Sequence, residues 1–159
     1  MPHILIVCTA NICRSPVAEA LIRQQLSERG LTPESGWTVA SAGTWAVLSR
    51  PPAKFSQQLA AERGLKISDR LSMMVDAEMI ADADLILCME KGHKEALQAE
   101  FPGDAGKVHL LSELIDRNYS ISDPYGQNID AYRIMMGEFD NILEEGVDKL
   151  VELAQRESD

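Results

Sequence analysis

Ile4-Leu5-Ile6-Val7-Cys8-Thr9-Ala10-Asn11-Ile12-Cys13-Arg14-Ser15-Pro16-Val17-Ala18 is the stretch on which the fold turns. Its first four residues form an unbroken apolar run rich in β-branched side chains, which suits a buried parallel strand. Thr9 to Arg14 shows no hydrophobic period. Ser15 then reads as an N-cap with Pro16 at the first helical position. Val17, Ala18, Leu21, Ile22 and Leu26 recur at helical spacing, and Gly30 offers a stop.

The same alternation continues outward. Trp37 to Ala40 predicts a second strand, with Ser41-Ala42-Gly43-Thr44 as the loop leaving it. Pro52 to Arg63 predicts a helix closed by Gly64, and Asp76 the cap of a short helix to Ala81. Leu85 to Cys88 predicts a third strand, Lys91 to Glu100 a helix stopped before Pro102, and Val108 to Leu111 a fourth strand. A long loop carries Asp123-Pro124-Tyr125-Gly126, after which Asn128 caps a last helix to about Gln155. Strands alternating with helices argue for an α/β fold: one domain over residues 1–159, a doubly wound, four-stranded parallel sheet with helices on both faces. Ligands in such folds sit beyond the carboxyl ends of the strands, where strand order reverses. The loop after the first strand is therefore the favoured place for chemistry.

The chain has 159 residues and a formal net charge of −10. Acidity on that scale disfavours non-specific binding to nucleic acid or anionic lipid, yet permits a local anion pocket made of backbone amides and one arginine. Three cysteines, Cys8, Cys13 and Cys88, do not make a disulfide framework, so a reduced cytosol is expected. The apolar start is too short for a signal peptide and no later run approaches a membrane span. The acidic tail Glu157-Ser158-Asp159 reads as solvated surface.

Cys8 and Arg14 stand with five residues between them, and a helix follows directly. A short loop curling onto a helix N-terminus points several free N–H groups at one centre, and the helix dipole adds to their pull on an anion. An arginine there adds two parallel hydrogen bonds to phosphate oxygens. The same field favours negative sulfur, because thiols beside a helix N-terminus and an arginine ionise well below the ordinary value of about 8.5. Cys8 is thus the candidate nucleophile and Arg14 the phosphate clamp. Thr9, Ala10, Asn11, Ile12, Cys13 and Ser15 complete a phosphate-binding loop, with the Ser15 hydroxyl placed to donate to the sulfur. A lone cysteine at a strand end is more often core, and a lone Asp before Pro124 more often a turn residue. The joint spacing argues against the first of these. A zinc site lacks its ligands, since Cys88, His93 and His109 show no paired spacing, and no metal or organic cofactor is implied.

Val7 through Glu19 resembles the signature of the low-molecular-weight protein tyrosine phosphatases. The likeness extends to Ser41-Ala42-Gly43-Thr44, in the place of the family's second loop, to Asp123-Pro124-Tyr125-Gly126, which matches its general-acid loop, and to Tyr132-Arg133. It spans nearly the whole chain and implies a flavodoxin-like, phosphotyrosine phosphatase I-like fold. It also implies hydrolysis of phosphotyrosine in proteins through a phosphocysteine intermediate, releasing inorganic phosphate. Cys8 would be the nucleophile, Arg14 and the loop amides the oxyanion stabilisers, and Asp123 the general acid and then base. Asn11 would hold the loop in shape, since asparagine tolerates the left-handed conformation. Tyr125 would form one wall of the cleft and Trp45, Val47 or Leu48 the other. Cys13 either packs under the loop or forms a reversible disulfide with Cys8 under oxidation. The implied partner is a phosphotyrosine-containing protein, in bacteria a tyrosine kinase regulating exopolysaccharide synthesis, and the short acidic chain fits a monomer. Two residues depart from the family's pattern. Ala10 stands where glycine is usual, and Asp69 where many members have a histidine; a carboxylate there could accept from Asn11 or Ser15. The competing readings are an arsenate reductase on the same fold, which needs a cysteine relay that Met89 through Pro102 lacks, and a non-catalytic phosphate-binding module, which needs neither nucleophile nor acid.

Overall fold

Strand β1 (His3–Cys8) lies between β2 (Thr38–Gly43) and β3 (Leu85–Cys88), with β4 (Val108–Leu110) beyond β3. In this computed structural model, which describes residues 1–158, all three pairings are parallel: Ile4 faces both Val39 and Leu85, and Cys8 faces Gly43. The tail expected to be solvated at 157–159 lies outside the residues whose side chains are described. From β1 the sheet grows toward β2 on one side and toward β3 and β4 on the other. Strand order therefore reverses between β1 and β3, and the connections diverge at their carboxyl ends to leave a crevice.

The apolar run of β1 has no polar partner positions because both of its faces are covered. Ile4, Ile6 and Cys8 join a core with helices α1 (Arg14–Ser27), α2 (Lys54–Glu62) and α5 (Ile129–Ser158). Leu5 and Val7 point the other way, onto Ile80 of α3 (Ala77–Asp82) and Leu97 of α4 (Lys91–Glu100). Val17, Ala18, Leu21, Ile22 and Leu26 of α1 are all buried; each of the larger ones contributes roughly 1.5–3 kcal/mol of burial. No helix among the described residues is long and apolar enough to cross a membrane.

Among the boundaries that differ from the sequence reading, three shape the crevice. Helix α1 begins at Arg14 with Cys13 at its N-cap, so Ser15 is not a cap and Ser15-Pro16 lie in the first turn. Proline is tolerated there because first-turn N–H groups have no intrahelical acceptor, and the Ser15 oxygen is engaged elsewhere. Ser41 to Gly43 belong to β2 rather than to a loop, since they pair with Ile6 to Cys8 of β1, and on its other side Gly43 exchanges hydrogen bonds with Met73 and Val75 (2.8 and 2.9 Å). Helix α2 starts at Lys54, not Pro52, because Ala53 is extended at ψ of 145°, with its N–H on the Ile12 carbonyl at 2.7 Å.

Candidate active site

The loop from Cys8 to Arg14 is held by its carbonyls. Cys8 O accepts from Thr44 N–H and Thr9 O from Trp45 N–H (both 2.9 Å), and Ile12 O accepts from Ala53 N–H. Cys13 O accepts from the Ser56 hydroxyl at 2.9 Å. In a trans peptide the N–H points opposite the preceding carbonyl. Outward carbonyls therefore turn the amides of Thr9, Ala10, Cys13 and Arg14 toward the inside of the loop. Asn11 makes the reversal with φ of 60°, the left-handed conformation expected of it, while Ala10 stays outside that region and its methyl group is accommodated. Gly43 permits the close approach of β2, since a Cβ there would sit 2.3 Å from Thr9 O.

On the sulfur side, the proton order follows from one backbone group. Met73 N–H donates to Asn11 Oδ1 at 2.9 Å, which fixes the amide orientation. Asn11 Nδ2 must then donate to Ser15 Oγ (2.7 Å) and Ser41 Oγ (3.0 Å). With its oxygen accepting, Ser15 turns its hydrogen toward Cys8 Sγ, 3.0 Å away, and Asn11 N–H donates to the same sulfur at 3.2 Å. Ser41 thus fills the place considered for Asp69. That carboxylate is exposed, lines a cavity of about 550 Å³ behind Asn11, and makes no hydrogen bond to Asn11 or Ser15 among the described residues.

On the other side, Arg14 is 1% exposed. Its Nη1 donates to Glu90 Oε2 at 2.8 Å and to Ile121 O at 2.7 Å, and its Nη2 to Thr9 Oγ1 at 3.2 Å. Its Nε is buried with no partner among the described residues. Asp123, with its side chain 42% exposed at the mouth, lies 3.6 Å from Arg14 Nη2 through Oδ2, while its Oδ1 accepts from Tyr125 N–H at 3.0 Å. Glu90 and His93 were given no role in the site by sequence reasoning, and Ser41 entered it only within the segment Ser41-Ala42-Gly43-Thr44. The one available signal was that Glu90 follows the carboxyl end of a buried strand, where ligands gather.

Tyr125, Trp45, Val47 and Leu48 are all exposed. Of the latter three, Trp45 is bonded through its own main chain to the loop, whereas Leu48 lines the cavity behind Asn11. The Cys13 thiol lies 3.5 Å from Tyr132 Oη, and burial pushes it up to about 11 against the opposing hydrogen bond from that phenol. Cys88 packs on the opposite face of the sheet, its thiol pushed up to about 12 by burial. All three cysteines are free.

Fold and loop together are those of a small cysteine-loop phosphatase. The model of the family "Low molecular weight phosphotyrosine protein phosphatase" matches residues 3–158, and the chain belongs to that family. It is 33% identical to the low molecular weight protein-tyrosine-phosphatase Etp of Escherichia coli, over 92% of this chain and 93% of Etp. It is also 32% identical to a protein-arginine-phosphatase of Geobacillus stearothermophilus, over 94% of this chain and 97% of the relative. The crystal structure of a low molecular weight protein tyrosine phosphatase from T. tengcongensis superposes with a TM-score of 0.84 at 31% identity, covering 96% of this chain and 99% of the other. Family membership makes the chain a phosphatase-family hydrolase, and the family's relatives differ in which phosphorylated side chain they carry in their names.

Proposed function

We propose that the protein hydrolyses phosphotyrosine in other proteins through a phosphocysteine intermediate. The observation that carries this reading is the pairing, across one loop, of a sulfur that receives two hydrogens with a buried guanidinium whose Nε has no partner among the described residues. The Ser15 hydroxyl and the Asn11 N–H both point at Cys8 Sγ, the atom that attacks phosphorus. Cys8 sulfur attacks phosphorus and the bond from phosphorus to the phenolic oxygen breaks, with Asp123 giving its proton to the departing phenolate. Arg14 and the loop amides hold the equatorial oxygens. Asp123 then takes a proton from water, the water oxygen attacks phosphorus, and the sulfur–phosphorus bond breaks to release inorganic phosphate and restore the thiolate, to which the Ser15 hydroxyl donates its hydrogen.

Tyrosine is favoured over arginine by the rim. Trp45 and Tyr125 offer exposed aromatic surface for a phenyl ring. Cys88, behind the sheet, is poorly placed to relay electrons from Cys8, which weighs against arsenate reduction. The reading extends to a monomeric cytoplasmic enzyme acting on phosphotyrosine proteins such as a bacterial tyrosine kinase. The test compares wild type with Cys8→Ser on an aryl phosphate, a phosphotyrosine peptide and a phosphoarginine peptide. Expected are turnover of the first two, abolished by the substitution, and a kcat/KM for phosphoarginine at least about tenfold lower. A preference for phosphoarginine, or thiol-dependent arsenate reduction without hydrolysis, would replace it.

A further inference from the structure

His93 lies in the first turn of α4, buried behind the arginine and absent from the mechanism above. Its two ring nitrogens face two different parts of the site. Glu90 N–H donates to Nδ1 at 3.2 Å, which closes the N-terminal cap of α4. Nδ1 therefore carries no hydrogen, and in the neutral ring the hydrogen sits on Nε2. Nε2 stands 2.9 Å from Thr9 Oγ1, to which it donates. That same oxygen accepts from Arg14 Nη2 at 3.2 Å. Thr9 Oγ1 thus receives two donors, and its own hydrogen must turn away from both Arg14 and His93. Through Glu90 the ring reaches Arg14 a second time, because the residue whose N–H it accepts is the one whose carboxylate holds Nη1.

We propose that His93 is a positioning residue for the phosphate clamp: as a neutral ring it fixes Thr9 by Nε2–H and Glu90 by Nδ1, and so sets the angle at which Arg14 meets phosphate. The proposal rests on the phosphatase reading of the loop. Burial holds the His93 ring below its ordinary range of protonation. Among the charges facing it, Glu90 on its own helix end and Asp123 in the loop oppose that shift, while Arg14 on α1 reinforces it. A protonated ring would lose the acceptor at Nδ1 and bring a second positive charge against the guanidinium.

Two isosteres separate positioning from helix capping. In His93→Asn the amide oxygen occupies the place of Nδ1 and keeps the cap, but nothing reaches Thr9. In His93→Gln the amide nitrogen reaches the place of Nε2 and keeps the donor to Thr9. A neutral hydrogen bond contributes about 1 kcal/mol net, which corresponds to roughly fivefold in an equilibrium constant. Expected is a five- to tenfold loss of inorganic phosphate affinity, measured by calorimetry, in His93→Asn and His93→Ala, with a matching fall in kcat/KM for an aryl phosphate. His93→Gln should return both to within about threefold of wild type. In wild type, nitrogen-15 spectra of the ring should show the hydrogen on Nε2. Wild-type phosphate affinity retained by His93→Asn in a folded protein, a His93→Gln variant as weak as His93→Ala, or a ring protonated on Nδ1 alone would each overturn the assignment. Because phosphate binding is read without turnover, a wild type that binds phosphate but hydrolyses nothing would defeat the phosphatase reading and still leave His93 judged on affinity.

Discussion

The two flanks of the loop are built from different chemistry. Around Cys8 every partner is uncharged: an asparagine amide, two serine hydroxyls and main-chain N–H groups form one ordered chain of donors ending at sulfur. Around Arg14 the partners include two carboxylates, both partly open to solvent, with a carbonyl and a threonine oxygen completing the set. The contrast follows from the charge each flank has to hold. A sulfur that is to be negative is served by dipoles aimed at it, since a cation directly on it would compete with the phosphate for the same place. A guanidinium buried beside a helix N-terminus is costly unless its N–H groups are satisfied. Glu90 and Ile121 satisfy Nη1, Thr9 accepts from Nη2, and Nε is left without a partner among the described residues.

The largest expected effect falls between the flanks, at the mouth. Asp123→Ala should slow hydrolysis with phenolic leaving groups by about 10²–10⁴-fold, read from steady-state kcat. An effect below about threefold would remove Asp123 from its role. On the sulfur flank, Asn11→Ala deletes three side-chain hydrogen bonds, orphans the Met73 N–H and places alanine at φ of 60°. Each lost hydrogen bond costs about 1 kcal/mol and the left-handed conformation about 1–2, so denaturant unfolding should show a loss of at least about 3 kcal/mol. Because Asn11 and its side-chain partners are uncharged, that loss should be the same at low and high salt. On the guanidinium flank, Glu90→Gln keeps an acceptor and removes a charge that is 38% exposed. Its cost should be only about 1 kcal/mol and should shrink as salt is added. Equal salt dependence for the two variants would erase the contrast between the flanks.

The smallest effect is one of pH. The folded protein holds His93 below its unfolded protonation range, mainly by burial. The unfolded state therefore binds the extra proton first as pH falls. The contribution of His93 to stability is full above about pH 6.5 and is lost as pH drops through the folded value. Denaturant midpoints measured from about pH 7.5 down to about pH 5 should fall more steeply for wild type than for His93→Gln. Parallel curves would mean that the ring accepts a proton without disturbing the clamp.

The alternation of apolar runs and helical periods made the sheet and its helices legible, because burial on both faces leaves no polar position in a central strand. What sequence placed less well were the ends of elements beside the crevice. Ser15 has the composition of a cap, but its hydroxyl serves sulfur. Ser41 to Gly43 have the composition of a loop, yet they pair because Gly43 alone admits the Thr9 carbonyl at that distance. Local propensity was overridden at each point by a contact with the phosphate loop.

The sequence by itself determined the strand, the loop and the helix, and with them Cys8 and Arg14, because six residues of chain are enough to bring these two to one centre. It also marked Asp123 through its motif. Only the tertiary structure decided that Ser41 rather than Asp69 supports Asn11, that Glu90 and Ile121 hold the arginine, and that His93 sits against Thr9. Those partners lie between 30 and 107 residues from the groups they hold, or in the case of His93 84 residues from Thr9. Contacts that distant are set by how the sheet stacks its strand ends, a property of packed layers that no local pattern carries.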